Sequence, residues 1–351
     1  MLYRDIESEN LCLIFRRKIS MKSFVYWKKV CWSWFGWGFI LFLIMGLTSI
    51  PSLAAAKKLK VVTTVAPLTN LVKNVGGSRI DLHGIIPEGT DSHTFEPRPS
   101  DISYIAAADL IILNGLHLET PTEKLIEANG KPGVVVLKLG DNTITEKDWI
   151  FDFSFPKEQG DPNPHLWLNV PYTMKYVELI RDKLIALDPE NKDFFAKNAE
   201  VYLEKLKQLD KEIEAAVQTI PPQNRKLLTY HDSWAYFARR YGMTVIGAIQ
   251  PASFSEPSPQ EVAKLIDQIK KEKVPAIFGS EVFPSKVLDQ IGREAGVKYI
   301  DTLRDDDLPG PVGSPEHTYI GMMIEDVRTM VTSLGGDPKG LEKIDPADLN
   351  N

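Results

Sequence analysis

The chain has 351 residues, of which 43% are hydrophobic and 25% are charged, and its formal net charge is −6. This composition is that of a folded globular protein and excludes an intrinsically disordered chain. It offers no basic surplus for binding nucleic acid, and an acidic protein suits cationic partners better than polyanions. Because a single core rarely grows past about 250 to 300 residues, the length favours two domains over one.

The first 56 residues have the layout of a secretory signal peptide. Three lysines precede a mostly apolar run at 35–50, and small alanines at 54–56 provide a cleavage site. An uncleaved membrane anchor is the alternative, but this run is shorter than the roughly 20 residues that a spanning helix needs. Met21 is a second candidate for the true start, since residues 1–20 add nothing that such a signal requires. We therefore expect a periplasmic protein, secreted through a cleavable signal peptide.

Both cysteines, Cys12 and Cys31, lie in this leader. The remainder of the chain therefore has no disulfide, no thiolate metal ligand and no cysteine nucleophile. Cys31 precedes the apolar run, which is a poor position for lipid attachment.

From residue 57 onward, short strands rich in β-branched residues alternate with amphipathic helices. The alternation predicts an α/β fold with parallel sheets and with functional loops at the carboxyl ends of the strands. Three segments are predicted: an N-terminal α/β lobe at 57–187, a linking helix at 188–221 and a C-terminal α/β lobe at 222–351. The helix begins at an Asp-Pro pair and has no internal glycine or proline, so about 30 residues would form a rigid strut roughly 45 Å long.

Two stretches share one order of features, which indicates an internal duplication. Residues 96–113 (EPRPSDISYIAAADLIIL) and 256–280 (EPSPQEVAKLIDQIKKEKVPAIFGS) both place Glu-Pro-x-Pro before a helix and an apolar strand. We therefore expect two pseudo-symmetric lobes that share their architecture but differ in their site residues.

Four residues with metal-binding side chains fall where predicted strands end: His93, His165, His231 and Asp301. The carboxyl ends of strands are where α/β proteins place ligands. Three imidazoles and one carboxylate suit four-coordinate Zn²⁺, or Mn²⁺ or Fe²⁺ if the carboxylate binds through both oxygens. On spacing alone, each single histidine is more often a hydrogen-bonded loop residue than a ligand.

Other polar residues are candidates for supporting roles. His117 follows a predicted strand and is an accessory-ligand candidate. Asp232 either caps a helix that begins at Ser233 or orients a ligand imidazole. Glu281 ends a predicted strand, and we expect it to form a hydrogen bond between the lobes. The alternative is that it supplies a fifth metal ligand. The acidic run at 305–307 is interpreted as a solvated loop rather than a cation-recruiting one.

Five stretches resemble the successive motifs of zinc/manganese-type (cluster 9) solute-binding proteins of ABC importers: GTDSHTFEPRPSD, NPHLWLN, YHDSWAYFARRYG, PSPQEVAKLIDQIKKEKVPAIFGSE and HTYIGMM. The likeness runs from about residue 59 to 335. The resemblance implies two pseudo-symmetric α/β lobes, one rigid linking helix and a metal ion held in the cleft between the lobes. Carried over motif by motif, it implies His93, His165, His231 and Asp301 as the metal ligands.

The resemblance also bears on which metal is carried. Many manganese-specific members have a glutamate where His231 stands, so a third imidazole favours zinc. Zinc importers of one common type carry a histidine-rich acidic loop before the Asn-Pro-His motif, whereas residues 118–164 here contain no histidine. The expected cargo is one Zn²⁺ per monomeric chain, with Mn²⁺ or Fe²⁺ as alternatives.

The expected partner is a membrane permease driven by a separate ATPase, because the chain has no GxxxxGK[ST] phosphate loop of its own. Because ligating imidazoles must be neutral, metal affinity is expected to fall below about pH 6. The rival hypothesis is a secreted zinc hydrolase with Glu281 as the base. Asp301 as a fourth protein ligand disfavours this rival, since catalysis needs an open coordination position.

Overall fold

The fold is described from a computed structural model, which covers residues 57–250, 257–280 and 286–349. The predicted signal peptide at 1–56 and Glu281 lie outside these ranges. Within them, no helix combines the length and the apolar character that crossing a membrane requires.

The N-terminal lobe is built on a parallel four-stranded sheet in the order β2-β1-β3-β4. Its strands and helices are β1 (Leu59–Thr63), α1 (Ala66–Gly76), β2 (Ile80–Gly84), α2 (Pro99–Ala107), β3 (Leu110–Leu113), α3 (Thr120–Asn129) and β4 (Val135–Lys138). The inner strand β3 is buried along its whole length, which explains its unbroken apolar run of four residues. Helices connect successive strands, because parallel neighbours require a crossover.

The C-terminal lobe repeats this arrangement with the sheet order β6-β5-β7-β8. Its elements are β5 (Lys226–Thr229), α6 (Ala235–Tyr241), β6 (Thr244–Ala248), α7 (Pro259–Glu272), β7 (Ala276–Ser280), α8 (Lys286–Ala295), β8 (Lys298–Leu303) and α9 (Tyr319–Ser333). The first helix after the Glu-Pro-x-Pro motif begins with a capping box between Ser258 and Glu261. The two sheets match position by position, which confirms the prediction of two parallel-sheet lobes of one architecture.

Two long helices, α4 (Val170–Leu187) and α5 (Lys192–Gln218), join the lobes. The 27 residues of α5 span about 40 Å. Its buried positions recur at helical spacing: Phe195, Asn198, Ala199, Tyr202, Leu206, Leu209, Ile213, Ala216 and Val217. This stripe packs against α1, α4 and α9, so the predicted rigid strut is confirmed as a long helix that contacts both halves of the chain.

The structure refines the strut in two ways. A short 3-10 turn, Pro189–Asn191, precedes the α-helix where the sequence predicted one continuous helix from residue 188. The preceding helix α4 is itself 18 residues long and packs against α5. The lobe boundaries at residues 187 and 221 remain predictions.

Candidate metal centre

Three histidines from distant parts of the chain converge on one point. The Nε2 atom of His165 lies 3.2 Å from Nε2 of His93 and 3.3 Å from Nε2 of His231. Among the described residues, these three form the one group of histidine and carboxylate side chains close enough to hold a metal ion, with ligand atoms within 4.8 Å of one another. The structure therefore brings together three of the four ligands that the sequence predicts.

Different local structures present the three rings. His231 follows the end of β5 by two residues, as predicted. His93 lies in the loop after β2, whereas His165 caps a 3-10 turn, Leu166–Leu168, and follows no strand directly. The expectation that every ligand ends a strand was therefore wrong for His165. Its position comes from the proline-rich backbone and from a hydrogen bond between its own N–H and Asn163 Oδ1 (3.0 Å).

Hydrogen bonds fix the protonation of two rings. His165 Nδ1 donates to Asn163 Oδ1 (2.9 Å), and His231 Nδ1 donates to Gln250 Oε1 (3.1 Å), since an amide oxygen only accepts. In the neutral ring the proton therefore resides on Nδ1, which leaves a lone pair on Nε2. The two Nε2 atoms face each other as acceptors, an arrangement that a bound cation stabilises.

The spacing of these atoms is compatible with a shared metal ion. Zn–N bonds of 2.0 to 2.1 Å in tetrahedral geometry place neighbouring nitrogens about 3.3 Å apart. The separations of 3.2 and 3.3 Å match this value. His165 Nε2 thus lies at a distance from each of the other two nitrogens that a shared metal ion would allow, and all three ligand atoms lie within 4.8 Å of one another.

Burial of the cluster keeps the rings neutral. His165 and His231 are 0% and 3% exposed, and His93 is half-buried. Burial lowers the pKa of all three imidazoles, to about 4 for His231, and the proximity of the other rings lowers the pKa of His93 and His165 further. Neutral imidazole is the form that binds metal, so the site is preorganised for a cation.

Asp301 does not join the cluster. Strand β8 continues to Leu303 instead of ending at Ile300, and Asp301 is an exposed residue within it. The prediction of a strand end here was wrong because the run after Ile300 also pairs in the sheet, where Leu303 aligns with Ser280.

The acidic run that follows is buried, which corrects its interpretation as a solvated loop. Asp305, Asp306 and Asp307 are only 5 to 7% exposed. Asp305 and His231 line the same cavity of about 10 Å³, and the backbone oxygen of Asp305 accepts a hydrogen bond from Trp167 Nε1 (2.7 Å). Burial raises the pKa of Asp305 to about 6. Asp305 is therefore a buried carboxylate that shares a cavity with His231, although, among the described residues, the group of converging ligand atoms contains only the three histidines.

Asp306 and Asp307, which follow Asp305, form hydrogen bonds to the loop that carries His93. The side chain of Asp307 accepts from Gly89 N (2.6 Å), and that of Asp306 accepts from Ser92 N (3.3 Å). These bonds tie the loop before His93 to the segment after β8.

The predicted accessory residues have other partners. His117 is an exposed residue whose Nδ1 lies 3.2 Å from Asp161 Oδ1, outside the cluster. Asp232 is fully buried, and its side chain accepts from Phe153 N (3.2 Å). It does not cap the next helix, which begins at Ala235 without a side-chain cap. Burial raises the pKa of Asp232 to about 6.

Comparisons with known proteins identify metal-binding relatives of this chain. A family model described as zinc-uptake complex component A, periplasmic (ZnuA) matches residues 61–333. The manganese-binding lipoprotein MntA of Halalkalibacterium halodurans is 31% identical over 317 residues, which cover 88% of this chain and 99% of that protein. The manganese ABC transporter substrate-binding lipoprotein PsaA of Streptococcus pneumoniae is 30% identical over 280 residues, covering 78% and 87%.

Among solved structures, the periplasmic zinc binding protein TroA from Treponema pallidum matches with a TM-score of 0.72 and 30% identity. The match covers 79% of this chain and 99% of that one. The names of these relatives include both manganese and zinc, so similarity alone leaves the metal open.

Proposed function

Because this chain belongs to the periplasmic zinc-uptake component A family, whose members are metal-binding receptors of ABC importers and not enzymes, we propose that it captures Zn²⁺ for import. The observation that carries the proposal is the convergence of the Nε2 atoms of His93, His165 and His231 at separations of 3.2 and 3.3 Å. The hydrogen bonds of their Nδ1 atoms leave lone pairs on Nε2 of His165 and His231. A divalent cation is the ligand that binds such converging acceptors.

The proposed ligands are the three histidines and Asp305, which replaces the Asp301 of the sequence prediction. Three nitrogens and one carboxylate favour Zn²⁺, whereas Mn²⁺ prefers oxygen-rich sites. The same receptor with Mn²⁺ or Fe²⁺ as cargo is the alternative, and it requires Asp305 to bind through both oxygens.

The proposed partner is a membrane permease with a separate ATPase. A relative is named as the substrate-binding component of an ABC transporter, and this chain has no phosphate loop to supply energy itself. The proposed location is outside the inner membrane, reached through the signal peptide predicted at 1–56. N-terminal sequencing of the exported protein would locate the cleavage site.

The hydrolase alternative lacks support. A fourth protein ligand leaves no open coordination position, and the family consists of transport receptors.

A competition titration tests the proposal. Metal-free residues 57–351 are titrated with Zn²⁺ or Mn²⁺ against a chromophoric chelator, for the wild type and for His231→Ala. We expect one tight zinc site per chain, weaker binding of manganese, and loss of more than about 100-fold in zinc affinity in the variant, since a direct ligand is worth more than its supporting partners.

His117→Ala is the matched control, because it removes a histidine that lies outside the cluster. A preference for manganese would redirect the cargo, and the absence of any tight site would refute the receptor function. Equal losses in both variants would refute His231 as a ligand.

A further inference from the structure

A short segment, residues 150–155, covers the histidine cluster, and we call it the cap segment. It lies between β4 and α4. Its last residue, Phe155, places its ring centroid 5.5 Å from the ring of His93, 5.8 Å from that of His165 and 5.6 Å from that of His231. Nearly equal distances to three converging rings put the phenyl group over one face of the cluster.

The side chain of Phe155 is itself buried, next to a more exposed residue of the same segment. It is 7% exposed, whereas His165 beneath it is fully buried and Phe153 on the same segment is 54% exposed. Removing the phenyl ring would therefore open the cluster to water on this side.

The middle of the cap segment is fastened to the C-terminal lobe at Asp232, which follows His231, and its first residue is held by a hydrogen bond from Ile150 N to the Tyr236 hydroxyl (3.2 Å). Asp232 Oδ2 accepts from Phe153 N (3.2 Å), and Asp232 N donates to Ser154 Oγ (3.3 Å). Asp232 is 0% exposed, and its bond to Ser154 is shielded from competing water, whereas its bond to Phe153 is only part-buried.

The same residue connects to the ring of His165. Asn163 Nδ2 donates to the backbone oxygen of Asp232 (2.5 Å) and to Asp152 Oδ2 of the cap segment (2.7 Å). The oxygen of the same amide accepts from His165 Nδ1. Movement of the cap segment away from Asp232 therefore disturbs one ligand as well as uncovering the cluster.

We propose that Phe155 gates the path of the metal and that Asp232 is the positioning residue that holds this gate closed. Together they set how fast the ion enters and leaves, while the ligands set how tightly it binds. This inference rests on the proposed receptor function. Gating of this kind fits a carrier, because a lid that opens locally lets the ion exchange without unfolding either lobe.

Stopped-flow measurements with Zn²⁺ and a chromophoric chelator test the gate in the full mature chain. We expect Phe155→Ala to raise the association and dissociation rates together by about tenfold, with the equilibrium affinity changed by less than about threefold, as loss of a lid predicts. Phe155→Leu, which keeps the site apolar and is the safer variant for folding, should show a smaller change in the same direction. Phe153→Ala is the matched control, because it removes a phenyl group of the same segment that faces solvent.

Hydrogen exchange in the metal-free protein tests the fastening independently of metal. Asp232→Ala should speed exchange at the Phe153 amide, whereas Asp232→Asn, which keeps an acceptor oxygen, should restore protection. Unchanged exchange in Asp232→Ala would overturn the role of Asp232.

Unchanged metal kinetics in Phe155→Ala, or an increase in the dissociation rate alone with an equal loss of affinity, would overturn the gate. If the wild type binds neither Zn²⁺ nor Mn²⁺, the receptor function itself fails, and the exchange experiment still decides whether Asp232 fastens the segment.

Discussion

The two lobes have sheets of the same strand order but rest on very different cores. The N-terminal sheet belongs to one large cluster that also includes α4, α5 and α9. The C-terminal sheet contacts that cluster with part of its surface and carries a second, small cluster with α7 and α8: Leu228, Tyr230, Ile249, Ile266, Ile269, Val274, Ile277, Leu288 and Ile291.

The difference shows that equal topology does not give equal rigidity. His93 and His165 lie in segments packed on the large core, whereas the strand before His231 contributes Leu228 and Tyr230 to the small core. The C-terminal lobe is therefore the part expected to adjust around the metal, since local opening follows the regions with the fewest buried contacts.

The largest effect should come from truncating one core residue in each lobe. Leu71 on α1 and Leu288 on α8 are both fully buried, and either Leu→Ala change should cost about 2 to 5 kcal/mol. We expect Leu71→Ala to lower the free energy of unfolding of the whole protein. Leu288→Ala should lower the free energy of opening of the C-terminal lobe alone.

Denaturant unfolding and hydrogen exchange in the metal-free variants measure this difference. Faster exchange in β5 to β8 but not in β1 to β4 is the expected result for Leu288→Ala. Equal loss of protection in both sheets would show that the lobes unfold as one unit.

A smaller effect should distinguish the two carboxylates of the C-terminal lobe. Asp305→Asn should weaken Zn²⁺ binding by about 10- to 100-fold, because it removes the proposed carboxylate ligand, which shares a buried cavity with His231. Asp301→Asn, the matched control on the exposed part of β8, should leave the affinity unchanged. A loss in Asp301→Asn, with Asp305→Asn unaffected, would reverse the assignment.

The smallest effect concerns the pH dependence of metal affinity, which shows which of the proposed ligands gains a proton first. Burial keeps the pKa of the histidines low, about 4 for His231, so proton competition at the imidazoles begins only as the pH approaches that value. The pKa of Asp305 is raised to about 6, so this carboxyl gains a proton below pH 6 and must lose it to bind metal. Affinity should therefore fall below about pH 6, by at most tenfold per pH unit for one proton.

The pH prediction is measured by repeating the competition titration between pH 4.5 and 7.5. The sequence analysis attributed the fall in metal affinity below about pH 6 to protonation of the imidazoles. We now expect this fall to come from protonation of Asp305. The Asp305→Asn variant should show a flatter profile over this range. An undiminished slope in that variant would show that groups other than Asp305 carry the proton dependence.

Much of the fold could be predicted because its signals are local. The strands at Leu59–Thr63 and Leu110–Leu113 are short apolar runs bounded by turn residues. The helix Pro259–Glu272 begins with a capping box whose residues, Ser258 and Glu261, are three positions apart in the sequence. The repeated Glu-Pro-x-Pro pattern likewise indicated two similar lobes. The long helix α4 was not singled out, since its sequence lies next to that of the strut and shares its helical periodicity.

The metal centre was predicted in part for a different reason. Few histidines are available, and their side-chain chemistry restricts what a cluster of them can bind. The sequence analysis placed Asp301 at a strand end, whereas β8 continues through Thr302 to Leu303 and Asp301 lies outside the histidine group. No local pattern distinguishes a strand that ends at Ile300 from one that ends at Leu303.

The sequence by itself determined the strands and helices, the two-lobed α/β architecture and the three imidazoles, because periodicity and residue chemistry are properties of short stretches. Only the tertiary structure decided that Asp305 is buried beside His231, that Asn163 and Gln250 fix the ring protons, and that Phe155 covers the cluster. These contacts join residues many positions apart, and their distances depend on how the two lobes pack around α5.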